Sequence, residues 1–168
     1  MILIVNTTAD RSVTEAIRKE LAGKAIEADI VETDDKKISH CIGCNYCWLK
    51  TPGECSIKDD YEEILKKMIH ADQLWVISDT ALGFLDHKGK NIFDRILPLA
   101  TMYLKFKGDQ MRHIRRYKNK LDIGIIYKGE PDVEYLKRWN VRATLNFESE
   151  SLGVYSKDEI KEAVSCMC

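Results

Sequence analysis

The chain has 168 residues, 45% of them apolar and 32% charged, with 26 Lys and Arg against 27 Asp and Glu and a net charge of −1. At ~150 residues per domain this is expected to be one domain over 1–168, able to bury a core without disulfide staples and too apolar to be disordered. The charge balance lacks the basic excess of a nucleic-acid binder, no apolar run reaches the ~20 residues of a membrane span, and no signal peptide precedes the first expected strand, so a cytoplasmic protein is expected, with no nucleic-acid partner and no membrane.

The opening run MILIVN (1–6) predicts a strand buried on both faces, as in a parallel sheet. Ser12 to Glu15 has capping-box spacing, Val13, Ile17 and Leu21 follow at helical intervals, and Gly23 is a stop. A second strand is expected at 28–33, then a polar, cysteine-rich stretch over 34–57 with a turn at Pro52-Gly53. Asp60 and Glu63 are candidate caps for a helix whose apolar face is Ile64, Leu65, Met68 and Ile69. A third strand falls at 73–78, followed by a loop over 79–86 containing Gly83. A long amphipathic helix is expected from about His87 to Phe106, interrupted by Pro98. The fourth strand is placed at 121–127, a short helix at 133–139, the fifth strand at 141–147, and a last helix capped from Ser156 to Glu159.

Strands alternating with helices predict an α/β fold with a doubly wound parallel sheet. Five strands in this length fit the flavodoxin-like order 2-1-3-4-5. Ligands of such sheets sit beyond the carboxyl ends of the strands, here 6–14, 34–57, 79–86 and 127–132.

Six cysteines in a chain expected in the cytoplasm point to metal, redox chemistry or buried thiols ahead of disulfides. Cys41, Cys44, Cys47 and Cys55 form a C-x2-C-x2-C-x7-C pattern on one loop. Three closely spaced thiolates with a distal fourth match the way iron–sulfur clusters are held. Zinc more often takes two C-x-x-C pairs across a long spacer, and an unmetallated thiol loop is the structural alternative. Cys166 and Cys168 form a C-terminal C-x-C, a weaker metal candidate.

The stretch CIGCNYCWLKTPGECSIKDD (41–60) resembles a signature segment of the flavodoxin-like NADPH-dependent FMN reductase family, and its cysteine spacing resembles the iron–sulfur flavoprotein branch. Gly83 to Arg95, with Lys90 and Asp94-Arg95, is similar to a second family pattern, G-x-x-S-x-x-x-K-x-x-x-D-R. The resemblance implies an FMN-dependent NAD(P)H oxidoreductase or electron-transfer flavoprotein. It also implies a [4Fe-4S] cluster on Cys41, Cys44, Cys47 and Cys55, a nicotinamide nucleotide or protein electron donor, and a homo-oligomer. FMN is expected with its phosphate over Thr7, Thr8, Arg11, Ser12 and Thr14 and its ring near Thr80, Ala81, Leu82 and Gly83.

The family's phosphate loop reads close to N-G-S-P-R-x-x-S-N-T, whereas Thr7 stands here for the Gly and Ala9-Asp10 for Pro-Arg. Asp10 brings a carboxylate toward a phosphate dianion, unfavourable unless Arg11 offsets it. After the third strand the family's Pro and aromatic are missing, and Asp86 stands at its Ser position. A relative that has lost flavin, kept as a zinc, thiol or non-catalytic binding module, is therefore the alternative. Trp48 is expected to pack the cysteine loop, Arg95 to pair with Asp94 or a neighbour, and the basic run from Arg112 to Lys118 to be a solvated arm, with anion steering or a partner subunit as its other roles.

Overall fold

The computed structural model describes residues 1–167. In chain order the elements are β1 (Ile2–Asn6), α1 (Arg11–Ala22), β2 (Ala28–Glu32), α2 (Tyr46–Leu49), α3 (Tyr61–His70), β3 (Gln73–Ala81), β4 (Phe84–Leu85) and α4 (His87–Asp94). A 3-10 turn (Leu97–Leu99) leads to β5 (Ala100–Lys107) and β6 (Gln110–Arg115), followed by β7 (Asp122–Lys128), α5 (Val133–Leu145), β8 (Ser151–Ser156) and α6 (Ile160–Ser165).

The main sheet runs β2-β1-β3-β7-β8, all parallel, with β4 folded back antiparallel onto the end of β3. Counting its five long strands in chain order gives 2-1-3-4-5, as the alternation of elements predicts. Val5 lies beside Val31 and Val76, and Ile125 beside Val76 and Val154, so the apolar runs align across the sheet. Each face carries its own core. Leu3, Val5, Leu74 and Val76 meet the apolar stripe of α3 and the inner sides of α4 and α5 on one side. Ile4, Trp75 and Ile77 meet α1 and α6 on the other. Trp75 lies so close over β7 that a Cβ at Gly124 would sit 2.4 Å from its ring carbons; only a residue without a side chain fits there. No helix of the described residues is long and apolar enough to cross a membrane.

Two expected elements are corrected. The helix expected from His87 to Phe106 ends at Asp94; Pro98 sits in the 3-10 turn, and the remainder becomes the β5–β6 ribbon, whose strands pair antiparallel around Gly108-Asp109. Its run of Met, Tyr, Leu and Phe is not a helix face, because Met102, Tyr103, Leu104 and Phe106 are all exposed on the ribbon. Residues 141–147 are not a strand: 141–145 complete α5, and the fifth parallel strand is Ser151–Ser156. The inner stripe of α5 is Leu136, Asn140 and Thr144, so polar residues interrupt the apolar period that would have marked the helix. Asn140 is held inside by donating to the Ile123 carbonyl at 3.0 Å and to Ser151 Oγ at 2.8 Å.

The caps shift as well. Asp10, not Ser12, caps α1, and Asp59, not Asp60 or Glu63, takes the Tyr61 N–H at the start of α3. The Cys166 thiol lies 3.0 Å from the Tyr155 hydroxyl, and its C-x-C partner Cys168 lies outside the described residues.

Candidate functional site

Three loops meet at the carboxyl ends of β1, β3 and β7. Lys128, the last residue of β7, reaches Asp10 with Nζ 2.9 Å from Oδ2. The Thr80 hydroxyl donates to the Lys128 carbonyl at 3.3 Å, and the Asp132 N–H donates to the Gly83 carbonyl at 2.7 Å. Thr7 and Thr8 lie on the loop after β1 and Arg11, Ser12 and Thr14 on the first turn of α1, while Thr80 and Ala81 end β3 and Leu82 and Gly83 form the turn after it. Lys128, which ties them, carries no local sequence signal; a lone lysine ending a strand looks like any other.

The donors on the first loop already have acceptors. Thr7 gives its hydroxyl to the Ile77 carbonyl at 2.8 Å, and Thr8 gives its own to Asn6 Oδ1 at 2.8 Å. Thr14 donates to Glu32 Oε1 at 2.7 Å, and all three threonines are buried. The N-terminus of α1, where clustered N–H groups and the helix dipole favour an anion, holds the carboxylate of Asp10. Ser12 donates to it through both N–H (3.1 Å) and hydroxyl (2.5 Å). These Ser12 bonds, with Lys128 behind them, hold the Asp10 carboxyl down to about 2. Arg11 turns away to Asp34, contacting both carboxylate oxygens at 2.9 Å, so it does not offset Asp10.

The second loop is a tight reversal between β3 and β4. Leu82 and Gly83 both have positive φ, 52° and 77°, the geometry of a two-residue hairpin turn in which glycine is at ease and leucine is strained. The Leu82 side chain is fully exposed at the tip. Asp86 accepts from the Gly89 N–H at 2.9 Å and lies 3.1 Å from Ser78 Oγ, so at the family's Ser position it serves as the cap of α4.

The cysteine loop lies between β2 and α3, beyond the same sheet edge. Asn45, in the left-handed region at φ 57°, turns the chain into α2, which carries Cys47 inward; Cys41, Cys44 and Cys55 are half-buried. Beneath the loop is a buried guanidinium. Arg95 does not pair with Asp94, which lies against Lys90; it pairs with Asp59, with Nη1 2.6 and 2.8 Å from the two carboxylate oxygens. The same side chain donates to the carbonyls of Ser39 and Ile57 (3.2 Å each) and to Cys55 Sγ at 3.4 Å, and lies 4.5 Å over the Tyr61 ring. Its Nε–H is buried with no acceptor. Asp59 is missed by sequence reasoning because the pair joins residues 36 apart with no periodicity between them.

The thiols differ. Hydrogen bonding to Ser56, 3.1 Å away, and to the Tyr46 N–H lowers Cys44 below an ordinary thiol. Burial, and then the charges of Cys55, Cys44 and Cys41, raise Cys47. The four cysteines are thus near enough to feel one another. Among the described residues, however, no three His, Cys, Asp or Glu side chains converge as a single ion requires. A tetrahedral zinc site would hold its sulfurs about 4 Å apart, from Zn–S bonds of about 2.3 Å. A four-iron cluster takes one thiolate per iron and spreads its ligands further. Four thiols beside a buried guanidinium are the residue types that could hold an anionic cluster. The first loop does not fit a phosphate dianion while Asp10 stands in the anion position.

No family model matches the chain. Over 79 residues it is 40% identical to an iron–sulfur flavoprotein of Methanocaldococcus jannaschii, and over 81 residues 38% identical to an iron–sulfur flavoprotein of Archaeoglobus fulgidus. These matches span 47% and 48% of this chain but only 40% and 39% of those proteins. Among solved structures, RosB with a bound 8-demethyl-8-formylriboflavin-5'-phosphate intermediate aligns over 98% of this chain and 75% of its own, with TM-score 0.63 at 14% identity. An FMN-dependent NADH-azoreductase of Bacillus anthracis aligns over 99% and 98%, with TM-score 0.55 at 15% identity. The fold is flavodoxin-like, and over about half its length the chain is similar to iron–sulfur flavoproteins.

Proposed function

We propose that the chain is a redox protein of the iron–sulfur flavoprotein type, moving electrons between a nicotinamide nucleotide or protein donor and an acceptor. The observation that carries this reading is the loop of Cys41, Cys44, Cys47 and Cys55 set over the Arg95–Asp59 pair, in a chain similar to iron–sulfur flavoproteins. The four cysteines would hold a [4Fe-4S] cluster, which supplies one-electron transfer. Arg95 anchors the Cys55 end of the loop and supplies positive charge beneath it. Trp48 closes the loop on the other side, its indole N–H donating to the Leu97 carbonyl at 2.9 Å. The exposed apolar residues of the β5–β6 ribbon offer a surface for a second copy, which supports a homo-oligomer.

FMN would lie across the strand ends, its ring against Thr80 to Gly83, only if Asp10 leaves Ser12. One observation therefore favours a second reading, a member of this fold that works without flavin: the anion position of α1 is filled by the chain's own carboxylate. An absorption spectrum with iron, zinc and flavin analysis of protein purified without oxygen tests both readings. Iron with broad visible absorbance, lost in Cys44→Ser, is the expected result, and twin flavin bands would add FMN. A colourless, iron-free protein that neither iron–sulfur reconstitution nor added FMN changes would overturn the redox reading.

A further inference from the structure

Away from the strand ends, a cavity of about 890 Å³ opens between α4, α5 and the β5–β6 ribbon. This is the size of a small-molecule site. Its wall runs along α5 from Tyr135 to Asn146 and reaches Ile123 at the start of β7, the end opposite Lys128. One side is aromatic. Trp139 is fixed edge-on between Phe84 (5.1 Å) and Phe93 (4.9 Å), and across the opening Trp48 lies 4.8 Å from the His113 ring. Such faces take a flat ring.

The same wall carries several cations. Arg11, Arg95, Arg115 and Lys128 each have a carboxylate partner. Arg112, Arg138 and Arg142 line the cavity, and among the described residues none of them pairs with a carboxylate. Asp94, the acidic residue of the wall, is engaged by Lys90. Arg112 is buried and held only by the side-chain carbonyls of Asn146 (3.2 Å) and Gln110. Arg138 and Arg142 lie one turn apart on α5, on the same side of the helix. Burying a guanidinium against neutral amides alone is costly, and a charged acceptor removes that cost.

We propose that this cavity is a binding site for a planar aromatic molecule carrying a phosphate or carboxylate, its ring against Trp139 and its anionic group on Arg112, Arg138 and Arg142. The site is separate from the loops after β1 and β3 and does not depend on which cofactor they hold. Through Trp48, the residue after Cys47, it adjoins the cysteine loop, so a bound molecule would sit beside the electron-carrying segment.

The test is calorimetric titration of the full chain with 8-anilino-1-naphthalenesulfonate and with its uncharged analogue N-phenyl-1-naphthylamine. The anionic dye is expected to bind more tightly than the neutral one. The surface double variant Arg138→Gln/Arg142→Gln is expected to weaken the anionic dye about tenfold or more, as for loss of charge-assisted bonds, and to leave the neutral dye within about twofold. Arg112→Gln should act in the same direction, with circular dichroism checking that the buried change leaves the fold intact. Displacement by NADPH but not by 1-naphthoate identifies a nucleotide phosphate as the recognised group; displacement by both identifies any aromatic anion. Equal binding of the two dyes, no effect of the double variant, or displacement by neither competitor would overturn the proposal. So would loss of dye binding on self-association, which would assign the cavity to a second copy.

Discussion

Replacing Arg95 by Met keeps the length of the side chain and removes its charge, and so separates the guanidinium's electrostatic role from its packing. The wild-type side chain is almost wholly buried and holds Asp59 through two short contacts, with further bonds to two carbonyls and to Cys55. Removing one member of a buried pair costs about 3–5 kcal/mol, because the other charge is left without a counter-ion. Asp59 would keep the N–H groups of Ser39 (2.8 Å) and Tyr61 (3.2 Å), which places the expected loss near the lower end, about 3 kcal/mol. At about 2–4 °C per kcal/mol for a chain of this size, Tm should fall by roughly 6–12 °C.

The pH dependence gives a second check on the same pair. Burial pushes the Asp59 carboxyl up, but the hydrogen bonds from Arg95 and the Ser39 N–H outweigh it and hold it below the ordinary carboxylate value. A depressed carboxyl contributes stability above its unfolded pKa and loses it as pH falls through its folded pKa. The gap in denaturant stability between wild type and Arg95→Met should therefore be full at pH 6 and narrow below about pH 4. Chemical denaturation at both pH values, with Asp59→Asn and the double variant closing a cycle, measures it. A loss below about 1 kcal/mol, or a gap unchanged at acid pH, would refute the assignment of this pair as the anchor of the cysteine loop.

Asp10→Asn keeps a cap for Ser12 and removes the charge from the anion position, so FMN affinity, read by quenching of flavin fluorescence, should rise about tenfold. Because Asp10 is held down to about 2, the difference from wild type should persist to pH 4; an unchanged or weaker affinity would count against its blocking role. Gly124→Ala drives a methyl into the Trp75 ring and should cost about 1–3 kcal/mol or more in urea denaturation, with a shifted tryptophan emission. In metal-free protein, mass-spectrometric mapping should find Cys44 alkylated by iodoacetamide before Cys47, since Ser56 stabilises the thiolate of the first and burial disfavours that of the second.

The parallel sheet was legible because its central strands are buried and read as nearly unbroken apolar runs, whereas the half-buried edge strand β8 was not. MILIVN and QLWVIS leave no other economical burial, and the turns between them place the loops at one end. The cysteine spacing was legible because it is local in sequence. What escaped depends on partners distant in sequence. The ribbon over 100–115 has apolar residues that face outward, so no core imposes the period-2 pattern by which a strand is recognised. The inner face of α5 is satisfied by hydrogen bonds from Asn140, which only the approach of β7 and β8 makes possible. The Asp59–Arg95 pair is another product of the fold, and so is the bond by which Lys128 crosses to Asp10.

The net charge of −1 bears on function only after its terms are placed in space. At the strand ends the charges cancel in pairs: Asp10 with Lys128 and Arg11 with Asp34, while Glu32 accepts from Asn6 and Thr14. The loop where the sequence suggests an anion thus offers an incoming phosphate little net attraction. Along α5 and β6 the balance is local and positive, with Arg112, Arg138 and Arg142 around one aromatic-walled cavity. Charges of opposite sign separated by more than about 8 Å are screened from one another at physiological salt, so the acidic residues elsewhere do not neutralise that wall. A chain with nearly balanced overall charge can therefore still present a locally positive wall to a small anion, and the proposed site lies along α5.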